Sequence, residues 1–411
     1  MSAAGSPEPD PWRGANLLDP AFQQAFRSDP HPILRRLRET APVHRTPIGI
    51  WRVTRHADCV RMLREVKAGV RRTDGRRFDE AAVPTGRPGQ FMLQRDPPDH
   101  TRLRKLVSRA FTPRAVERLR PRIAEIARVR MDEACQRGEL DAIRDLALPV
   151  PSLMICEMMG VPASDRERFT QWTAESTHVL AALTSPPDVV ARGVAAGDAL
   201  ARYFEELIAE RRRAPREDLL SELIRAEQAG DRLSAEELVS QCAGLLIAGF
   251  ETTIGLIGNG ILALVRHPAQ LARLQAAPAL LPRAVEECLR YDGPIVLTVR
   301  ITHEDALVGG EKIPTDSPVF VMVGAANRDP AAFADPERFD VGRDPNPHLA
   351  FGGGTHFCLG AHLARAEAEI AIGEFARRVD EPEPTCDALS WGRSLFRVLD
   401  ALPLRFTPRA G

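Results

Sequence analysis

Hydrophobic and polar positions alternate with a helical period along most of the chain, and one stretch departs from that amphipathic pattern. Residues 245–265 read LLIAGFETTIGLIGNGILALV, about the 20 apolar residues that a bilayer span requires. Glu251, Thr252, Thr253 and Asn259 interrupt it. An acid at a bilayer centre costs about 2.5–3.5 kcal/mol or more. The stretch therefore predicts a helix buried on all sides within a protein. Ser234-Ala-Glu-Glu237 is a capping box at its start, and His267-Pro268 marks its end. The helix between them is about 50 Å long at 1.5 Å per residue, enough to cross a whole domain. Its central polar cluster is then central to the molecule.

Further helices are expected over Arg114–Arg137, Ala195–Arg213, Pro282–Arg290 and Leu359–Val379. Strand signals are weaker: Ile50–Thr54, Val296–Thr302 and Val319–Val323 are rich in β-branched residues and bounded by Gly or Pro. Two long stretches, Arg71–Asp99 and Asn327–Thr355, carry little helical signal. Irregular segments of that length in a compact protein are usually functional. No repeat and no linker is evident, so the expected architecture is mainly α, with a smaller β-rich lobe. The polar, Pro-rich start, residues 1–19, reads as a disordered tail without an apolar signal region. Residues 20–411 read as a single domain, although 411 residues alone would suggest two or three.

Composition adds exclusions. With 55 basic and 56 acidic residues, the near-zero net charge argues against nucleic-acid binding. The seven cysteines include no C-x-x-C pair, which fits reduced thiols in the cytoplasm. Only Lys67, Lys105 and Lys312 are lysines. The remaining basic residues are arginines, rigid forks suited to carboxylates. Arg71, Arg72, Arg76, Arg77 and Arg87 crowd one stretch, either as a solvated loop or as an anion clamp.

The chemistry concentrates at Phe351-Gly-Gly-Gly-Thr-His-Phe-Cys-Leu-Gly360. Four glycines in ten residues let the backbone approach something flat or bulky. Cys358 precedes an expected helix, whose N–H groups and dipole favour a thiolate. Such a sulfur is a metal ligand, a nucleophile or a structural cysteine. A nucleophile needs a base that is itself held in place; His356 is close, but nothing nearby in the sequence orients it.

The pattern Phe351-x-x-Gly354-x-His356-x-Cys358-Leu359-Gly360 resembles the haem-binding loop of the cytochrome P-450 family. The likeness extends over residues 20 to 408 and includes Glu287-Cys-Leu-Arg290, Pro336-Glu-Arg338-Phe and Ala248-Gly249-Phe250-Glu251-Thr252-Thr253. The resemblance implies a helical domain whose long central helix lies over a buried haem b (iron protoporphyrin IX). Cys358 would be the axial iron ligand, and a thiolate there favours O–O cleavage. Glu251 and Thr252 would be the acid–alcohol pair that delivers protons. Glu287, Arg290 and Arg338 would form the ion network behind the haem. His100, Arg104, Arg300 and His356 would hold the propionates, with Ala248, Gly249, Phe351 and Gly360 also against the cofactor.

By the same resemblance, the chain is a soluble bacterial monooxygenase. It would be a monomer that takes O2 and receives electrons from ferredoxin and ferredoxin reductase, with no membrane partner. Arg104, Lys105, Arg109, Arg114 and Arg365 would face the acidic donor. Phe91, Met92, Leu93, Trp172, Leu180, Leu245, Ala248, Ile295, Val296, Leu395 and Phe396 would line a pocket. Their apolar character implies a lipophilic small molecule, placing the enzyme in specialised-metabolite or antibiotic biosynthesis. Two other readings stay open: a peroxide-driven peroxygenase, which would bypass the proton relay, and a haem sensor or carrier without turnover.

Overall fold

The computed structural model describes residues 20–79, 91–182, 185–228, 233–392 and 396–409. The proposed tail, Arg87 and Leu395 lie outside them, as does the side chain of Leu180. In chain order the elements begin with α1 (Pro20–Ser28), α2 (Pro30–Thr40), β1 (Val43–Arg45), β2 (Trp51–Val53), α3 (His56–Arg64) and β3 (Ala68–Gly69). Next come α4 (Asp99–Val107), α5 (Pro113–Arg137), β4 (Glu139–Asp141), α6 (Pro149–Met158), α7 (Arg166–Ser176) and α8 (Pro187–Arg213). They are followed by α9 (Leu219–Gln228), α10 (Ala235–Arg266), α11 (Pro268–Ala276) and α12 (Leu281–Asp292). The last part holds β5 (Thr298–Thr302), β6 (Ala306–Val308), β7 (Glu311–Ile313), β8 (Pro318–Val321), α13 (Val323–Ala326), α14 (Ala361–Arg378), β9 (Val379–Pro384) and β10 (Pro403–Pro408).

The expected long helix is α10. Its capping box forms as the sequence implies: Glu237 N donates to Ser234 Oγ, and Ser234 N donates to Glu237 Oε2. It is long and apolar enough to cross a membrane, yet 72% of its most apolar stretch is buried. It packs against α6, α8, α12 and α14, and these helices share the main hydrophobic core. Glycines on α10 allow the close approaches. A methyl group on Gly255 would come within 2.7 Å of Pro294 Cβ and 3.1 Å of Arg397 O.

The β-rich lobe is a five-stranded sheet in the order β1-β2-β8-β5-β3. Only the β2–β8 pair is parallel. It has its own core of Trp51, Val53, Val319 and Val321. Smaller sheets pair β4-β10-β9 and β6-β7. A polar knot joins the two ends of the chain to the centre. Asp292 Oδ1 accepts from Arg397 Nε at 2.6 Å and lies 3.0 Å from His31 Nε2. Asn259 Nδ2 on α10 donates to both Asp292 O and Arg397 O at 2.9 Å. This knot lays the C-terminal turn onto α10 about two helical turns beyond Thr252.

That close approach generates a stability prediction. Ala is a better helix former than Gly by about 1 kcal/mol, but overpacking costs about 1–3 kcal/mol, and one neighbour here is backbone. Gly255→Ala should lower stability by about 1–2 kcal/mol in chemical denaturation; an unchanged or higher midpoint would contradict this packing.

Candidate functional site

Three parts of the fold meet the Cys358 loop: α3, the start of α4 and the irregular stretch after α13. The loop is closed by Cys358 N donating to Phe351 O at 3.0 Å. Gly352 and Gly354 adopt φ of 71° and 65°, a left-handed conformation that favours glycine. A Cβ at Gly354 would also lie 2.2 Å from Leu63 O, so α3 presses directly on the loop. The Gly360 amide and the charges of Arg104 and Arg365 favour the Cys358 thiolate, but burial outweighs them and pushes the thiol above its ordinary range. The helix start alone therefore does not ionise Cys358, contrary to the sequence expectation. A bound metal would remove the proton outright.

The Glu287–Arg290 pair is fully buried, with Arg290 Nε 2.7 Å from Glu287 Oε2. Arg290 also donates to the carbonyls of Asn327, Pro336 and Arg338. The third arginine differs from the expectation. Arg338 is 58% exposed and pairs with Asp340; only its carbonyl joins the network. Arg343 takes the place instead, with Nε 3.1 Å from both Glu287 oxygens. Asp340 N and Asn346 Nδ2 complete the carboxylate's partners. The sequence signal misled because a short loop reversal between positions 338 and 343 sends the first side chain to solvent and the second inward.

The middle of α10 is open where the run that follows it is closed. Ala248, Glu251 and Thr252 are half-buried and Gly249 is exposed, while most positions from Thr253 to Leu264 are buried. A Cβ on Gly249 would meet no atom within 4 Å, and neither would one on Gly360. Thr252 Oγ1 donates to Ala248 O at 2.9 Å and Thr253 Oγ1 to Gly249 O at 3.2 Å. Thr252 thus commits its proton to the helix and can present lone pairs away from it.

Of the expected propionate residues, His100, Arg300 and His356 gather, and the carboxylate near them is that of Asp96. The rings of His100 and His356 lie 4.3 Å apart. His100 Nδ1 and both ring nitrogens of His356 are buried without a hydrogen bond; His356 Nε2 stands 3.6 Å from Asp96 Oδ1. Burial, with the nearby charges of His356 and Arg104, pushes His100 down to about 4. Asp96 sits below the usual carboxylate range: burial raises it, but His356 and the amides of Val70 and Arg71 outweigh burial. Arg300 is 6% exposed and, among the described residues, hydrogen-bonds Val299 O and Thr298 Oγ1. Burial lowers its pKa to about 10. These groups fit a flat ligand carrying two carboxylates. Among the described residues no three His, Cys, Asp or Glu side chains converge as a metal site. An iron held by Cys358 would thus rely on a macrocycle for its other ligands.

The remaining expectations divide. The Phe91 ring occupies the space a Cβ on Gly244 would need, Met92 and Leu245 are buried, and Ile295 and Phe396 are half-buried. Leu93 is 49% exposed. Trp172 turns toward Tyr203 and lies under Arg168, and Val296 joins the small core of Leu34, Phe320 and Met322. Local packing thus claims Trp172 and Val296, and solvent claims Leu93, all expected in the pocket. The arginine stretch engages locally: Arg71 bonds Gln94 O and Gly75 O, Arg72 bonds Asp316 O, and Arg76 and Arg77 pair with Asp74 and Asp79. Lys105, Arg109 and Arg114 are exposed, whereas Arg365 is bound by Glu286, a contact with no signal in the sequence.

The Glu287 arrangement separates two arginines that look alike in sequence. Arg343→Ala leaves a buried carboxylate short of a cation and should cost about 3–5 kcal/mol. Arg338→Ala should stay within about 0.5 kcal/mol of the parent, as an exposed surface change. Denaturant titration of both variants decides between them; equal losses would contradict the assignment.

Comparison with known proteins agrees with this geometry. The family model for cytochrome P450 matches residues 48–380. Cytochrome P450 107B1 of Saccharopolyspora erythraea is 43% identical over 401 residues, covering 94% of this chain and 97% of that protein. The cytochrome P450 monooxygenase PikC of Streptomyces venezuelae is 42% identical over 402 residues, covering 94% and 93%. The solved structure of the bacillaene polyketide synthase cytochrome P450 PksS of Bacillus subtilis has a TM-score of 0.83 at 36% identity, covering 93% of this chain and 98% of that one. With the thiolate loop, the open strip on the central helix and the partly matched cations in place, the chain belongs to the cytochrome P450 family and is a monooxygenase.

Proposed function

We propose that residues 20–411 form one haem b monooxygenase domain, a cytoplasmic monomer, that inserts one atom of O2 into a C–H bond or an alkene of a lipophilic small molecule. The observation carrying this reading is the open strip Ala248, Gly249, Glu251 and Thr252 at the middle of α10, set against the fully buried run from Thr253 to Leu264. Two electrons and two protons accompany each turnover, and the second oxygen leaves as water. The electrons come from a ferredoxin and its reductase, with exposed Lys105, Arg109 and Arg114 facing the acidic donor. PksS is named for a polyketide synthase, which favours a specialised metabolite as the substrate class.

The chain's own residues divide the work. Cys358 ligates the iron, and His100, Arg104, Arg300 and His356 hold the two propionates. When bound, the haem supplies oxygen activation at iron, strengthened by thiolate donation. Thr252, whose proton is tied to Ala248 O, accepts a hydrogen bond from water or a reacting hydroxyl. Glu251, one residue before it, relays protons from solvent, the role a positioned carboxylate serves in acid–base catalysis. Phe91, Met92, Leu245, Ile295 and Phe396 supply the apolar wall.

The reduced protein with carbon monoxide should show the red-shifted Soret band of a thiolate ligand, and Cys358→Ser should lose it. A parent spectrum without that band would sink the assignment. Thr252→Ala should keep the spin-state response to ligands while product formation falls by roughly 10²-fold, the lower end for acid–base groups. Tight coupling of electrons to product in that variant, or equal parent rates with peroxide alone and with reductase, would overturn the relay.

A further inference from the structure

A second, part-buried ion cluster touches the Cys358 loop through Phe351, and the ligation and relay described above do not use it. Glu286, the neighbour of Glu287 on α12, accepts from Arg365 Nε at 2.6 Å and Arg365 Nη2 at 2.8 Å. It is also 3.0 Å from His348 Nε2. His348 Nδ1 accepts from the Ala350 amide at 3.2 Å, so the proton of the neutral ring sits on Nε2 and is donated to Glu286. The carboxylate is thus gripped from both sides.

Arg365 is what this grip positions. Its guanidinium carbon lies 4.4 Å from the centroid of the Phe351 ring. Phe351 in turn accepts the Cys358 amide, the bond that closes the loop. The chain of contacts therefore runs His348, Glu286, Arg365, Phe351, Cys358. Side-chain exposure is 29% for both Arg365 and Glu286, so solvent screens the pair only in part. The charge of Arg365 favours the thiolate form of Cys358.

We propose that Arg365 is a positioning residue for the haem-thiolate centre. Its guanidinium, fixed by Glu286, sets the charge felt by the Cys358 sulfur and clamps the Phe351 ring. The inference rests on the haem-thiolate reading above. Reduction adds negative charge to the centre, so a nearby cation makes it easier and a nearby anion harder. Glu286 and Arg365 must then act with opposite signs, which a merely structural pair would not do.

The test is the midpoint potential of the iron, measured by spectroelectrochemistry on holoprotein without substrate. Glu286→Gln should shift it positive, Arg365→Met should shift it negative, and the double variant should fall between them. Arg365→Lys keeps the charge and should stay near the parent. Shifts of the same sign in both single variants, or none, would overturn the inference. Loss of haem uptake in both Glu286→Gln and Arg365→Lys would also overturn it, in favour of a purely structural pair. A parent lacking the thiolate Soret band would instead defeat the underlying reading, so the two failures are distinguishable.

Discussion

The carboxylate of Glu287 has no exposure to water, and much of the architecture follows from satisfying it. Desolvating such a charge costs several kcal/mol unless well-placed donors replace the solvent. Arg290, Arg343, Asn346 and the Asp340 amide supply them. The two arginines then spend their remaining donors on carbonyls of residues 327–338. A stretch with almost no helix or strand gains its backbone partners this way, as buried polar groups require. That stretch leads straight into His348 and the Cys358 loop, so one buried ion determines where the sulfur is presented.

The space beside that loop is built on the opposite principle. His100, Arg300 and His356 are buried polar or cationic groups with unsatisfied ring nitrogens, and the nearby carboxylate of Asp96 matches them only in part. Leaving such groups unmatched costs stability, and a ligand with two carboxylates removes that cost when it binds. The same chain neutralises one charge cluster internally and reserves another for its cofactor. Glu286 and Arg365 lie between these regimes: a compensated pair close enough to bias the sulfur.

The long helix links both regions to the pocket. Its apolar residues bury it among four other helices, and its small and polar residues near position 250 keep one strip open. Gly255 and Asn259 lie beyond that strip and receive the C-terminal turn through Arg397. The C-terminal turn is thus tied to the helix that carries Glu251 and Thr252.

Local chemistry made much of this legible in the sequence. The capping box, the apolar run with Glu251 inside it, and the Gly-rich approach to Cys358 depend on residues close in the chain, so α10 and the thiolate loop could be read directly. The family resemblance, rather than spacing, brought out Glu287, Arg290 and the grouping of His100, Arg300 and His356. Tertiary structure decided what depends on the path of irregular backbone. Arg343 rather than Arg338 reaches Glu287, because a loop's direction over five residues has no periodicity to read. Trp172, Leu93 and Val296 are apolar in sequence wherever they point, and only neighbours such as Tyr203 and Phe320 determine that. At Cys358 the helix terminus visible in the sequence is opposed by burial of the sulfur, which only the tertiary structure supplies.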